Sequence, residues 1–240
     1  MQQNQPKIKN PTELETYATT FFGFGKWEAD YWLVGLEERG AETSDEFCRR
    51  YDAWQRMKSA EMVDLKDFFQ RSKIDPDWTN RTWKALHGIL LKAGAKIGEL
   101  NDKNKLWGGS INVERGSGHV ALIEVRPFPA PSTKVWPYEG WTPDFMKTRK
   151  QCLKKFQQER LRTLDKMLKE HKPKAVIDYG NAWKDTEKSN KFSEPKLYRK
   201  AEIDSSLWIS PVKIAGARPF DTIAKTQTSE QLRNWLNKNP

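Results

Sequence analysis

The sequence predicts an α/β fold: a mainly parallel, four-stranded sheet flanked by helices. Three observations carry that expectation. Four short runs rich in aliphatic, β-branched and aromatic residues alternate with segments whose apolar positions recur at helical spacing, and such alternation builds parallel sheets covered on both faces. The runs are nearly continuous in apolar character, as expected of strands buried on both sides. The chain has 240 residues, enough for one α/β domain with a sizeable core.

The first nine residues and Asn10-Pro11 read as a flexible polar arm, with the domain running from Thr12 to the end. Thr12–Phe22 is a helix by pattern, with Thr12 as its cap and Leu14, Tyr17, Ala18, Phe21 and Phe22 on one face. Gly23-Phe24-Gly25 reads as a break. Tyr31–Leu36 is the first strand, and it ends in the charged loop Glu37-Glu38-Arg39-Gly40. Ser44–Ser59 follows as a helix capped by Ser44, with Phe47, Tyr51 and Trp54 inward. Asp64–Arg71 and Thr79–Ala93 are helical too, the second through the stripe Thr82, Leu86, Ile89, Leu90 and Ala93. Val120–Val125 is the second strand and runs into the stiff loop Arg126-Pro127-Phe128-Pro129-Ala130-Pro131-Ser132. Pro143–Lys172 reads as one long amphipathic helix, ended by Pro173. Lys174–Gly180 and Leu207–Pro211 supply the last two strands, and Thr228–Leu236 the last helix. Ligands of parallel sheets bind beyond the carboxyl ends of the strands, so chemistry is expected in the loops that follow Leu36, Val125, Gly180 and Ser210.

The net charge is +10, a balance that favours phosphate-rich partners. The charge is segregated: Lys147–Lys200 holds 17 basic against 7 acidic residues, whereas Glu28–Asp77 holds 8 against 13. One part of the chain can therefore face a polyanion, although a solvated Lys-rich helix surface has the same composition. Only Cys48 and Cys152 are present, far apart and outside any CxxC pair. That excludes an iron–sulfur cluster built by this chain alone and argues against a four-ligand zinc site, since the histidines His87, His119 and His171 are also scattered. The polar start of the chain and the lack of an apolar run of membrane-spanning length point to a cytoplasmic protein with no membrane partner. No cofactor and no metal are implied, and a monomer is the default expectation.

Four segments, in order, resemble the motifs of the uracil-DNA glycosylase superfamily. Gly35-Leu36-Glu37-Glu38-Arg39-Gly40 is similar to the first motif, in which a Gly closes the strand and an acidic residue or Asn two positions on places the attacking water. Glu124–Ser132 resembles the second strand with its base-contacting loop, and Lys172–Gly180 the third strand. Ser210-Pro211 and the loop to Arg218 stand where the family has His-Pro-Ser and a DNA-inserting loop. The family's His is replaced by Ser210, and the Pro that follows its first-motif acid by Glu38. The resemblance spans about Tyr31 to Phe220. It implies an α/β/α sandwich, a DNA partner, and excision of a base without a cofactor. Members that remove glucosylated hydroxymethylcytosine from phage DNA suggest a bulky, modified base as substrate.

The residues offer matching chemistry. Cleavage of an N-glycosidic bond develops positive charge on the sugar, and a carboxylate favours that charge and orients water; Glu37 is the catalytic candidate, a solvated loop acid being the plainer reading of the same residue. Base-pocket candidates are Glu38, Glu124, Arg126, Phe128 and Ser210. Glu38 alternatively caps the following helix, and Glu124 alternatively pairs with Arg126. Phe128, Trp136, Tyr138 and Trp141 are candidates for stacking on a flipped base, core packing being the commoner fate of any one of them; at least one exposed ring is expected at Trp136-Pro137-Tyr138. Lys213 and Arg218 suit either the leaving base or phosphate. Lys147, Arg149, Lys150 and Lys154, together with Lys155, Arg160 and Arg162, would add salt-dependent affinity for DNA. Two other functions fit the same residues: a non-catalytic module recognising modified DNA or a nucleotide, and a metal-dependent nuclease, which would need Glu37, Glu38 and Asp178 to converge.

Overall fold

The computed structural model describes residues 10–38, 40–74, 81–95, 97, 119–132, 134–141, 143–178, 207–209 and 222–238. Its strands are β1 (Gly23–Phe24), β2 (Tyr31–Gly35), β3 (Met62–Val63), β4 (Val120–Glu124), β5 (Ala175–Asp178) and β6 (Leu207–Ile209). Its helices are α1 (Pro11–Thr20), α2 (Ser44–Arg56), α3 (Leu65–Ser72), α4 (Arg81–Lys92), α5 (Arg149–His171) and α6 (Thr222–Lys238). The sheet order is β3-β1-β4-β2-β5-β6.

The four expected strands form a parallel block, β4-β2-β5-β6, in which Tyr31 lies opposite Val120 on one side and Ala175 on the other. The sheet as a whole is mixed, because β1 runs antiparallel to β4 and carries β3 on its outer edge. The expectation of a break at Gly23-Phe24-Gly25 is therefore corrected. Gly23 sits at φ +141°, where a Cβ would come within 2.1 Å of the Leu122 carbonyl oxygen; the glycine that looked like a turn signal instead lets two backbones close up.

Side-chain alternation sorts the strands into two layers. Tyr31, Leu33, Val120, Leu122, Ala175 and Ile177 face the larger core, shared with α1, α2, α3 and α4. Trp32, Val34, Ala121, Ile123 and Val176 face the second, closed by Leu161, Leu164 and Leu168 of α5. The larger core is aromatic: Tyr17 touches Phe47, Tyr51, Trp54 and Phe128 ring to ring. Each such buried ring contributes about 1.5–3 kcal/mol through burial.

Helix starts follow local capping chemistry. Asn10, rather than Thr12, caps α1, accepting from the Thr12 amide at 3.0 Å with Pro11 in the first turn; Asn is a strong cap and Pro is preorganised at the first helical position. Thr43, rather than Ser44, caps α2, and Asp64 caps α3. The segment expected as one helix from Pro143 is split: a 3-10 turn covers Asp144–Met146, then Thr148 caps α5 by accepting from the Gln151 amide at 3.2 Å. This split makes Arg149 the first residue of α5. The helix ends at Lys172 in the left-handed conformation, just before Pro173.

Candidate functional site at the carboxyl edge of the sheet

In the parallel block the chain passes from β2 to β4 on one side, then crosses to β5 and β6 on the other. The carboxyl end of β2 is thus beside the point where strand order reverses, the place where such sheets bind ligands. The ladder between β2 and β4 continues one step past the strands, with the Val125 and Arg126 amides donating to the carbonyls of Gly35 and Leu36 at 3.0 and 2.8 Å. The loop is tied again where the Ala130 amide donates to the Glu38 carbonyl at 3.0 Å and the Gly40 amide to the Ala130 carbonyl at 3.3 Å. The charged loop after β2 and the Pro-rich loop after β4 are therefore one hydrogen-bonded unit.

Glu37 is held at this edge by two guanidinium groups. Arg126 Nη1 donates to its Oε2 at 3.2 Å, and Arg149 Nη1 reaches both carboxylate oxygens. The Glu37 side chain is only 6% exposed and that of Arg149 15%. Arg149 is itself fixed: its Nη2 donates to the carbonyl of Ser132 at 2.7 Å and to that of Val135, and its guanidinium lies over the Trp136 ring at 5.2 Å. Trp136 is half-buried and donates from Nε1 to the Met146 carbonyl at 2.6 Å. Val135 beside it is exposed.

The neighbouring acid points elsewhere. Glu38 is buried, and its carboxylate pairs with Arg50 of α2, a fully buried arginine. Arg50 also donates from Nε and Nη2 to Glu46 Oε1 at 3.2 and 2.9 Å. Glu46, at the third position of α2, accepts the Ala41 and Glu42 amides at 2.8 and 3.0 Å, the two residues ahead of the Thr43 cap. Burial raises Glu38 above the usual carboxylate range, against the pull of Arg50. Burial acts in the same direction on Glu46, but the Ala41 amide and Arg50 outweigh it, so its net shift is downward. Glu38 therefore belongs to the core side of the loop, and its assignment to a base pocket is corrected: the cation it needs comes from α2.

Other expected site residues are also placed. Phe128 is buried and packed against Tyr17, Phe47, Tyr138 and Phe156, so it is a core ring and not a stacking platform. Tyr138 is fully buried, its hydroxyl donating to the Pro129 carbonyl at 2.6 Å, and Trp141 is buried as well. Trp136 alone among these four keeps a partly exposed ring. Glu124 is buried at the end of β4, two residues before Arg126. Lys147, Lys150 and Lys154 are exposed, with Lys147 paired to Asp144 at 2.7 Å. Arg149 is drawn into the edge cluster and does not join them. Arg160, expected as a DNA contact, is buried: it donates to the carbonyls of Ala18, Phe21, Glu124 and Val125 at 2.6–2.8 Å, beneath the Phe22 ring. Burial pulls its guanidinium down to about 10. Ser210, Lys213 and Arg218 lie outside the described residues, as does the N-terminal arm up to Lys9.

Arg50 and Arg160 were missed as structural residues although both leave a sequence signal. Arg50 falls on the inward stripe of Phe47, Tyr51 and Trp54, and Arg160 lies four residues from both Phe156 and Leu164. A charge on an apolar helix stripe marks a buried ion pair or a clamp on backbone carbonyls. Among the described residues, no group of three or more His, Cys, Asp or Glu is placed to hold a metal ion, and no helix is long and apolar enough to cross a membrane. Comparison with protein-family models, with curated proteins and with solved structures returns no match.

Proposed function

We propose that this chain is a metal-independent DNA glycosylase, resembling the uracil-DNA glycosylase superfamily, that flips a modified base out of DNA and hydrolyses its N-glycosidic bond. The observation that carries this reading is Glu37: a carboxylate at the carboxyl end of β2, almost buried, and oriented by Arg126 and Arg149. The C1′–N bond breaks with its electron pair passing to the base. The Glu37 carboxylate favours the positive charge left on the sugar, orients the water whose oxygen adds to C1′ and takes up that water's second proton, which passes through solvent to the departed base anion. Arg126, which pairs with Glu37, is one cation for the negative charge on the departing base, and Lys213 and Arg218 are further candidates in the fourth loop. Arg149 has a second task, since a phosphodiester arriving at this edge competes with Glu37 for its guanidinium and frees one side of the carboxylate. The exposed Lys147, Lys150 and Lys154 near the start of α5 supply general affinity for the backbone. Modified cytosine in phage DNA, met in the cytoplasm, is the substrate class the resemblance favours.

A second reading has its own observation: both oxygens of Glu37 are engaged by Arg149, an arrangement equally suited to a non-catalytic module that recognises modified DNA or a nucleotide. One experiment separates the two. The protein is incubated without added metal with DNA carrying uracil, cytosine, hydroxymethylcytosine or its glucosylated form, and abasic sites are detected by alkaline cleavage. Abasic sites on one substrate, lost in Glu37→Gln while binding persists, support the glycosylase. Binding with no product on any substrate replaces it with the recognition module.

A further inference from the structure

Glu37 and Glu38 are adjacent, yet they are held by cations on different elements: Arg126 and Arg149 for the first, Arg50 of α2 for the second. Their Cα atoms are about 3.8 Å apart by covalent geometry, so whatever pins the Glu38 carboxylate also limits where Glu37 can stand. We infer that Arg50 is a positioning residue: by holding Glu38 inside the core it fixes the loop that presents Glu37 at the sheet edge. This inference rests on the reading of Glu37 as the catalytic carboxylate.

Three further features of the loop are built around the same guanidinium. Gly40 has φ +146°, and a Cβ there would lie 2.5 Å from Arg50 Nη2 and 3.2 Å from Glu46 Oε1; the loop passes so close to the arginine that only glycine fits. Ala41 is fully buried and adopts φ 51°, a left-handed conformation that is unfavourable for a non-glycine residue and persists only where its surroundings impose it. Its amide is held by Glu46, whose own carboxylate is oriented by Arg50. A charged cluster in the core is an expensive way to gain stability, since apolar residues of similar volume often do as well, and conformational specificity is one use that such clusters serve. Here the feature specified is the placement of Glu38, Gly40 and Ala41 beside Glu37.

The test compares the wild type with Arg50→Met, Arg50→Lys and the double variant Arg50→Met/Glu38→Leu. Amide hydrogen exchange over residues 37–41 and excision kinetics on the DNA substrate are both measured. Arg50→Met strands the Glu38 charge, so exchange over 37–41 accelerates and kcat falls by about 100-fold, the loss typical of a misplacement of about 1 Å, while KM stays near the wild-type value. Arg50→Lys keeps the charge without the fork that reaches both acids and falls between. The double variant removes the stranded charge and so recovers stability, but it also lacks the tether, and the faster exchange and the loss of kcat persist. Should Arg50→Met fail to fold, Gly40→Ala attacks the same contact from the loop side and is expected to give the same acceleration and the same loss. Wild-type exchange over 37–41 in a folded Arg50→Met or Gly40→Ala protein overturns the inference, as does a folded double variant whose exchange and kcat match the wild type. An inactive wild type would defeat the glycosylase reading, and the exchange measurement would still decide whether Arg50 sets the loop.

Discussion

Two charged clusters meet at the end of β2, and they differ in what surrounds them. The edge cluster, Glu37 with Arg126 and Arg149, has side chains 6–15% exposed and leans on backbone carbonyls and one half-buried tryptophan. The core cluster, Glu38 with Arg50 and Glu46, has side chains 0–16% exposed and is centred on a fully buried arginine packed beside Phe69. Neighbouring acids of one loop, each 6% exposed, thus differ in the elements that supply their cations and not in how far they are covered. The difference teaches that the surroundings of each acid are set by where the cations are, since the sequence Glu-Glu is itself symmetric.

The largest expected effect breaks the core cluster. Arg50→Met should destabilise the fold by about 3–5 kcal/mol, because it leaves a buried carboxylate without its partner. Arg149→Met should cost less, about 1.5–3 kcal/mol, since Arg126 still holds Glu37 and water reaches the edge. Chemical denaturation of the two variants checks this; equal losses would erase the distinction between the clusters.

A smaller effect separates the two acids on Arg50. Glu46 is shifted down in the folded protein, so its contribution to stability is present above the ordinary carboxylate value and is lost as pH falls through its lowered one. Glu38 is raised by burial, so its contribution has the opposite sign: present in acid, lost as pH rises through the raised value. Glu46→Gln should therefore be less stable than the wild type at pH 7, with the gap closing as pH is lowered through the carboxylate range. Denaturant midpoints across that range test the sign, and a gap that widens in acid would contradict it.

The same contrast explains what was legible in the sequence. The four parallel strands were visible because burial on both faces writes a continuous apolar run, as in Tyr31–Gly35 and Val120–Glu124. The two-residue strands β1 and β3 were not, because pairs such as Met62–Val63 are too short to carry a period and are held only by their neighbours. The split before α5 was hidden because Asp144–Met146 keeps helical spacing, and only the capping bond of Thr148 interrupts it. Glu37 became a candidate through its place after a strand together with the resemblance of Gly35–Gly40 to a first glycosylase motif. Its partners could not, because Arg149 lies 112 positions along the chain and enters the site only once α5 begins where it does. The many aromatic residues misled in the other direction: Phe128 looked available for stacking, but the core it completes already holds Tyr17, Phe47 and Tyr138.

The two cysteines offer a finer comparison, because each sits on the helix that serves one cluster. Cys48 is on α2, two residues before Arg50, and Cys152 is on α5, three residues after Arg149; neither is in a disulfide and both are buried. Burial pushes the Cys152 thiol up to about 12, so very little thiolate is present at pH 8 even before access is considered. Both should resist an aromatic disulfide reagent in the folded wild type and react fully in denaturant. In Arg149→Met the edge loosens first, and the labelling rate of Cys152 should rise while that of Cys48 stays low. In Arg50→Met the order should reverse, with Cys48 labelled first as α2 loses its hold on the loop. Mass spectrometry of the labelled peptides distinguishes the two sites. Equal acceleration of both cysteines in either variant would mean that the clusters open as one cooperative unit, and that the separation between the core cluster and the edge cluster does not hold in solution.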